Sequence, residues 1–287
     1  MSVVVSIDGE LFDETAKVSV FDRGFLYGDS VYEVMRTSGG QAVDFAEHLA
    51  RLRRSASAIA LEMPNDSELI EAVGAALAAA DNEESYIRIM VTRGAGEIGL
   101  RTDFARDRKS LVIVRPLKLP PKHQYETGIT VRIVDVQRTS PRAMDPGVKS
   151  GNYLNNILAL QEARRAGADE ALMCDNQGRV AEGASSNLFI VSDGDIATPG
   201  LDVGLLPGIT RQRVIELATA AGISVSECEL LPDQVRSADE VFITSSIRGV
   251  LPVAKIGDHV VSGGAPGAVT TRIMQLYARH LIAQADQ

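Results

Sequence analysis

The chain has 287 residues, 45% hydrophobic and 23% charged, which is enough for a packed core of about two domains and too apolar for a disordered chain. Its net charge of −9 argues against nucleic acid or an anionic membrane as partner, although a small anionic ligand needs only local positive charge. Cys174 and Cys228 are isolated and His48, His123, His259 and His280 are scattered, so neither a disulfide framework nor a metal site is indicated. The start, MSVVVSIDGE, lacks a basic segment before Asp8, and no apolar run is long enough to span a membrane, so a soluble cytoplasmic protein is the expectation.

In chain order, Val3–Val5 and Ile7 predict a strand, and Asp8-Gly9 a hairpin turn into Glu10–Phe12. Val18, Val20 and Phe21 predict a second extended piece, followed by an aromatic turn bracketed by Gly24 and Gly28 and a strand over Ser30–Arg36. Leu49, Leu52, Ala56 and Ile59 recur with helical period from Glu47 to Ala60. That helix is dense in arginine, which suits either a solvated face or a phosphate grip. A second helix is expected over Asp66–Ala80, capped by Asn65 or Asp66. Tyr86–Val91 reads as a strand with Tyr86 and Arg88 on one face, which is either surface or the lining of an anionic pocket. Thr92–Gly96 then reads as a loop and Leu111–Val114 as a buried strand.

The proline-stiffened stretch Pro116–His123 is the best linker. It predicts a small domain over 1–117, a linker over 118–127 and a larger domain over 128–287, opening with a strand at Ile129–Val136. Lys149 then stands alone, between a Pro146-Gly147 turn and the polar run Asn152–Asn156, where strand or loop becomes helix. Partial desolvation there would disfavour the ammonium form and free an amine able to form a Schiff base; a plain surface lysine ahead of a helix is the alternative. Leu154, Ile157, Leu158 and Leu160 predict the helix, stopped by Gly167. A hairpin about Asp175-Asn176 follows, then Glu182, an isolated carboxylate beside the small residues Gly183–Ser186, and a strand over Leu188–Val191.

Gly208-Ile209-Thr210 opens a further helix, where bare N–H groups, a hydroxyl and the dipole make an anion site, or Thr210 is an ordinary cap. The strand Glu240–Ile243 runs into Thr244-Ser245-Ser246, a second candidate anion cup, and a closing helix spans Gly267–Ala283. No dinucleotide fingerprint, P-loop, nucleophile elbow or zinc signature is present. A placed lysine, an isolated acid, two anion cups and an arginine helix are together the requirements of a pyridoxal phosphate site.

The motifs YGDSVYE, HLARL, YIR, KSGNYLNN, VAEGASSNLF, LPGITR and ADEVFITSS, in this order, resemble the fold-type-IV (class IV) pyridoxal-phosphate aminotransferases over nearly the whole chain. The resemblance implies an α/β (α+β) fold with a small N-terminal α/β domain and a larger C-terminal pseudo-barrel domain carrying the catalytic lysine, and a homodimer or higher oligomer. Lys149 would be the catalytic Schiff-base lysine and proton shuttle. Glu182 would pair the pyridinium nitrogen, Tyr153 the ring hydroxyl oxygen, and Arg51, Ile209, Thr210 and Ser246 the phosphate, with Asn187 also at the cofactor. Tyr27, Tyr32, Tyr86, Arg88, Ile247 and Arg248 would contact substrate. YIR is most similar to the branched-chain enzymes, implying transfer between an L-branched-chain amino acid and 2-oxoglutarate. Val34 and Arg248 depart from that pattern and keep open a D-amino-acid or (R)-amine transaminase, and Ile247–Val250 an aminodeoxychorismate lyase. A non-catalytic phosphate-binding protein is a fourth reading, disfavoured by the intact Lys149 and Glu182.

Overall fold

The computed structural model describes residues 2–285. The chain divides into one unit of Met1–Lys118, Val148–Asn152 and Leu281–Gln287, and a second of Leu119–Gly147 and Tyr153–His280. Both mix helix and strand, the α/β composition expected. The five residues around Lys149 group with the N-terminal unit, although their place in the sequence had put them in the C-terminal domain.

The first unit contains β1 (Val4–Ile7), β2 (Glu10–Phe12), α1 (Arg23–Tyr27), β3 (Ser30–Ser38), β4 (Gln41–Ala42), α2 (Phe45–Ala58), α3 (Asp66–Ala80), β5 (Ser85–Gly96) and β6 (Ala105–Pro116). The sheet order is β2-β1-β6-β5-β3-β4. Alternation assigns its faces. Val31 and Met35 of β3, Ile87, Ile89 and Val91 of β5, and Val112 and Val114 of β6 are buried in one core with Leu49 and Leu52 of α2 and Leu69 and Val73 of α3. The alternate residues Tyr32, Val34, Tyr86 and Arg88 share the other face, with Val34 opposite Arg88 and Arg36 opposite Tyr86. The predicted aromatic turn is the short helix α1, because the Asp22 carboxylate accepts from Gly24 N at 2.7 Å and Gly28 ends it at φ 68°. Val18 and Val20 form no strand. At the N-terminus of α3, Asn65 and Glu68 make a capping box.

The second unit contains α4 (Lys122–Thr127), β7 (Ile129–Ile133), α5 (Leu154–Arg165), β8 (Glu170–Cys174), β9 (Val180–Gly183), β10 (Asn187–Ser192), β11 (Asp195–Pro199), α6 (Ile209–Ala220), β12 (Val225–Cys228), α7 (Pro232–Ser237), β13 (Glu240–Ser245), β14 (Gly249–Ile256), β15 (His259–Val260) and α8 (Ala268–Ala285), whose last residues group with the first unit. Its sheet runs β12-β11-β10-β13-β14-β7-β8-β9, with β15 added to β14. The pairs of β7 with β14 and with β8 are parallel, and β10, β13 and β14 pair antiparallel. The helix after Lys149 forms with its faces the other way round. Leu154, Ile157 and Leu158 are exposed, while Asn156, Ala159 and Ala163 are buried. Small residues let this helix lie close against Ala168, Ala171 and Ala184, and the buried Asn156 amide donates to Ala184 O at 2.9 Å. No helix among the described residues is long and apolar enough to cross a membrane.

The loop expected at Thr92–Gly96 is instead the end of β5, which keeps pairing with β6 through a bulge between Thr92 and Ala95. Gly94 makes this possible: its φ is +94°, and a Cβ there would lie 1.9 Å from Asp107 O. Gly94→Ala is therefore expected to destabilise the protein by more than about 1 kcal/mol, since strained backbone and a backbone clash add, and urea unfolding measures it. Gly178→Ala, in open space at φ +82°, is the control for conformational strain alone.

Candidate active site

Within the first unit, the backbone around Lys149 is fixed on both sides. Lys149 N donates to Ser55 Oγ of α2 at 3.1 Å, Tyr32 N donates to Lys149 O at 2.9 Å, and Gly151 N donates to Ser30 O at 2.9 Å. Ser150 thereby bridges to Val31 of β3. Gly151 is the residue that permits this approach, since a Cβ there would meet Ser30 Oγ at 2.4 Å. The side chain of Lys149 is half-buried, and its Nζ lies 4.6 Å from the centroid of the Tyr32 ring. The Arg88 guanidinium lies 4.1 Å from the same centroid, and Arg115 lies 4.5 Å from the ring of Tyr86. One aromatic ring therefore contacts both the lysine amine and an arginine fork.

Beneath that sheet Arg51 is buried, with its Nε and Nη2 each 2.7 Å from the Glu33 carboxylate, which is also 2.6 Å from His48 Nδ1. Glu33 was not singled out from the sequence. Burial pushes its carboxyl up, but the Arg51 charge, its hydrogen bonds and the His48 contact outweigh burial and bring it down to about 2. The Tyr27 hydroxyl accepts from Gly99 N at 3.1 Å, while Arg23 donates to Gly99 O at 2.7 Å, so α1 ties down the loop that carries the exposed Ile98 and Leu100.

The second unit gathers another cluster. Glu182 is buried at the end of β9, and it is not isolated: Arg138 Nε donates to Oε1 at 2.7 Å and Leu206 N to Oε2 at 3.1 Å. Asn187 Nδ2 lies 3.5 Å from that same oxygen and donates to Leu206 O at 3.0 Å. Leu206 leads through Gly208 to the buried Ile209 and Thr210 at the start of α6. In the β10–β13 ladder Asn187 stands opposite Thr244, next to Ser245 and the half-buried Ser246. Glu182, the turn into α6 and the end of β13 are thus joined through Asn187 and Leu206. Tyr153 is half-buried at the N-cap of α5. Ile247 is half-buried in the turn after Ser246. Arg248, expected at substrate, has its Nη2 2.7 Å from the buried Glu170. Arg138 and Glu170 escaped the sequence reading, because an ion pair across 44 or 78 residues leaves no local pattern.

The chain belongs to the amino-transferase class IV family, whose sequence model matches residues 30–256. It is 38% identical to a provisionally named branched-chain-amino-acid aminotransferase of Methanocaldococcus jannaschii, covering 95% of this chain and 94% of that one. It is also 29% identical to the D-alanine aminotransferase of Bacillus licheniformis, covering 98% of each. The branched-chain amino acid aminotransferase of Thermobaculum terrenum, solved in its PLP-bound holo-form, superposes with a TM-score of 0.86 at 26% identity, covering 98% of this chain and 94% of that one. Class IV aminotransferases are pyridoxal-phosphate enzymes, and this is an enzyme of that class.

The second unit's residues fit this cofactor. Helix α6 begins without any side-chain cap, which leaves N–H groups for an anion. Gly208 leaves room there for Asn187, since a Cβ would meet Asn187 Oδ1 at 2.0 Å and displace that side chain. The Thr244 hydroxyl beside them is buried without a hydrogen-bond partner. A buried acid joined to that cup through Leu206 and Asn187 suits a cationic ring nitrogen.

The depressed Glu33 carboxyl has a pH consequence. Its stabilisation is complete above its ordinary value of 4.5 and is lost as the pH falls toward about 2. Urea midpoints of the wild type should fall through that window, whereas Glu33→Gln should be flatter there. At pH 7 the same variant should already be weaker by roughly 3–5 kcal/mol, because Arg51 loses its buried partner. An unchanged acid limb in the variant would assign the loss to other carboxylates.

Proposed function

We propose that this aminotransferase moves an amino group between an L-branched-chain amino acid and 2-oxoglutarate, with Lys149 as the catalytic residue. The observation that carries the reading is the Tyr32 ring, contacted by both Lys149 Nζ and the Arg88 guanidinium. Such a surface accepts an apolar side chain on the ring and arginine stem, and a carboxylate on the arginine fork.

Pyridoxal phosphate, when bound, supplies an aldehyde for an amine and a ring that accepts the electron pair released at the α carbon. Lys149 Nζ would hold the cofactor aldehyde and, once displaced by the amine of the amino acid, would be free as the base that moves the α-carbon proton. Glu182 keeps a proton on the ring nitrogen, and Arg138 with the Leu206 amide holds that carboxylate in place. Tyr153 binds the ring hydroxyl oxygen. The N–H groups and hydroxyl of Ile209-Thr210, together with Ser246 and Arg51, bind phosphate, and Asn187 orients the turn leading to them. Tyr27, Tyr32, Tyr86, Arg88 and Ile247 line the substrate. The half-buried Val34, opposite Arg88, narrows that lining, and the D-alanine aminotransferase similar over the full chain keeps a D-amino-acid activity as the second reading. A homodimer is part of the proposal, supported by Phe25, Ile98 and Leu100, which are 70%, 70% and 84% exposed around α1 and the loop it ties.

Lys149→Ala should lose the visible absorbance of the cofactor-loaded protein and nearly all turnover; borohydride trapping of cofactor on another lysine would reassign the chemistry. Glu182→Gln should keep cofactor bound yet slow the proton shift, whereas Arg51→Ala should weaken cofactor binding by roughly 1.5–3 kcal/mol. Arg88→Ala should lower kcat/KM for glutamate and 2-oxoglutarate by roughly tenfold more than for leucine, because only the acidic pair needs the fork. Stopped-flow half-reactions with L-leucine, D-alanine, D-glutamate and (R)-1-phenylethylamine decide the handedness. Reaction of the D-amino acids without L-leucine would replace the branched-chain reading by the second one.

A further inference from the structure

Arg248 follows Ser246 and Ile247 in the turn from β13 to β14, where an arginine invites a role as carboxylate receptor. Its hydrogen bonds are directed elsewhere. Nη2 donates to Glu170 Oε2 at 2.7 Å, to Ser185 Oγ at 2.9 Å and to Ser185 O at 3.2 Å. Nε and the backbone N both reach Ser245 Oγ, at 3.2 and 3.3 Å. Its own carbonyl accepts from the Tyr125 hydroxyl at 2.9 Å. Glu170 is 1% exposed at the start of β8, and Oε2 also accepts from Ser185 Oγ at 2.9 Å and Ser186 Oγ at 3.3 Å. A carboxylate buried this deeply is costly without a cation, and a guanidinium supplies both charge and fork.

The segments joined by this pair are the ones that carry the proposed cofactor contacts. Gly183–Ser186 connects Glu182 to Asn187 and is closed by Gly183 N donating to Ser186 O at 2.7 Å. Ser245–Arg248 presents Ser246 and Ile247. Resting on the pyridoxal phosphate reading, we propose that the Arg248–Glu170 ion pair is a positioning strap that sets the spacing between the acid-bearing turn and the hydroxyl-bearing turn, and that Arg248 is not the receptor for a substrate carboxylate. A substrate carboxylate would have to displace a contact already made inside the chain and strand Glu170 in the interior.

The test compares Arg248→Met, Glu170→Gln, their double variant and the milder Ser185→Ala, which removes the hydroxyl's contacts to Glu170 and Arg248 without stranding a charge. Amide hydrogen exchange on cofactor-free protein is read at 183–187 and 245–249, alongside dissociation constants for pyridoxal phosphate and inorganic phosphate and steady-state constants with saturating cofactor. The strap predicts exchange in both turns faster by roughly tenfold in each charge variant, and less in Ser185→Ala. It predicts cofactor affinity weaker by roughly tenfold, KM for the amino acid nearly unchanged, and a double variant no worse than the worse single one. The opposite pattern overturns it: KM raised by Arg248→Met and lowered by Glu170→Gln, which frees the fork, with cofactor affinity unchanged. A lower melting temperature with exchange in the two turns and cofactor affinity both unaltered overturns it equally. Should the charge variants not fold, Ser185→Ala decides by the same signs. Failure of wild-type protein to bind pyridoxal phosphate would sink the underlying functional reading, and the exchange measurements would still judge the strap.

Discussion

The anchoring of the Lys149 backbone is the constraint on which the proposed chemistry depends. A lysine side chain has four rotatable carbons, so its amine is placed only as well as its backbone is held. Here the chain returns to the N-terminal unit for the five residues Val148–Asn152 and is held there from both sides. Ser55 of α2 accepts from Lys149 N, and Tyr32 and Ser30 of β3 bracket Lys149 O and Gly151 N. The residues that make this possible are small: Ser55 as acceptor and Gly151 as the spacer that lets two backbones approach. Closing so long a loop costs only slowly growing entropy, and a few backbone hydrogen bonds with the buried Val148 offset it.

Within each unit the protein sets a buried carboxylate against an arginine. Glu33 holds Arg51, Glu182 is held by Arg138, and Glu170 holds Arg248. Such pairs contribute little net stability, because desolvation cancels much of the attraction, but removing one partner is expensive. Their value is geometric, since a bidentate or forked contact fixes direction as well as distance. Glu33 also offsets the charge of Arg51, so any anion bound by Arg51 meets an arginine already oriented rather than a bare cation.

Similarity to aminotransferases named for branched-chain amino acids and for D-alanine, over nearly the same length of chain, separates two layers of this structure. The class IV fold and its cofactor chemistry are common to both. Choice of substrate falls, in the reading proposed above, to a handful of side chains. In the first unit these are Tyr32, Val34, Tyr86 and Arg88, which share the sheet face away from the apolar core.

Local chemistry was legible in the sequence wherever neighbours in the chain decide the outcome. The hairpin at Asp8-Gly9, helix α3 with its cap at Asn65 or Asp66, the hairpin after Glu170 and the start of α6 all follow from turn residues, caps and periodicity within a few positions. The motif order also carried the family, whose sequence model matches residues 30–256. Where distant residues decide, the sequence was silent or misleading. The leucine stripe of α5 implied an inward apolar face, but close packing against Ala171 and Ala184 turned Ala159 and Ala163 inward and left Leu154 and Ile157 exposed. Glycine at 94 read as a loop, yet the partner strand made it a bulge within β5. Glu182 looked alone until Arg138 met it, and Arg248 looked available until Glu170 took it. Propensity and capping act over a turn of chain, so the sequence by itself determined the elements and the residue types of the site. Ion pairs and faces are settled by what lies across space, so only the tertiary structure decided which charges are available and which are already matched.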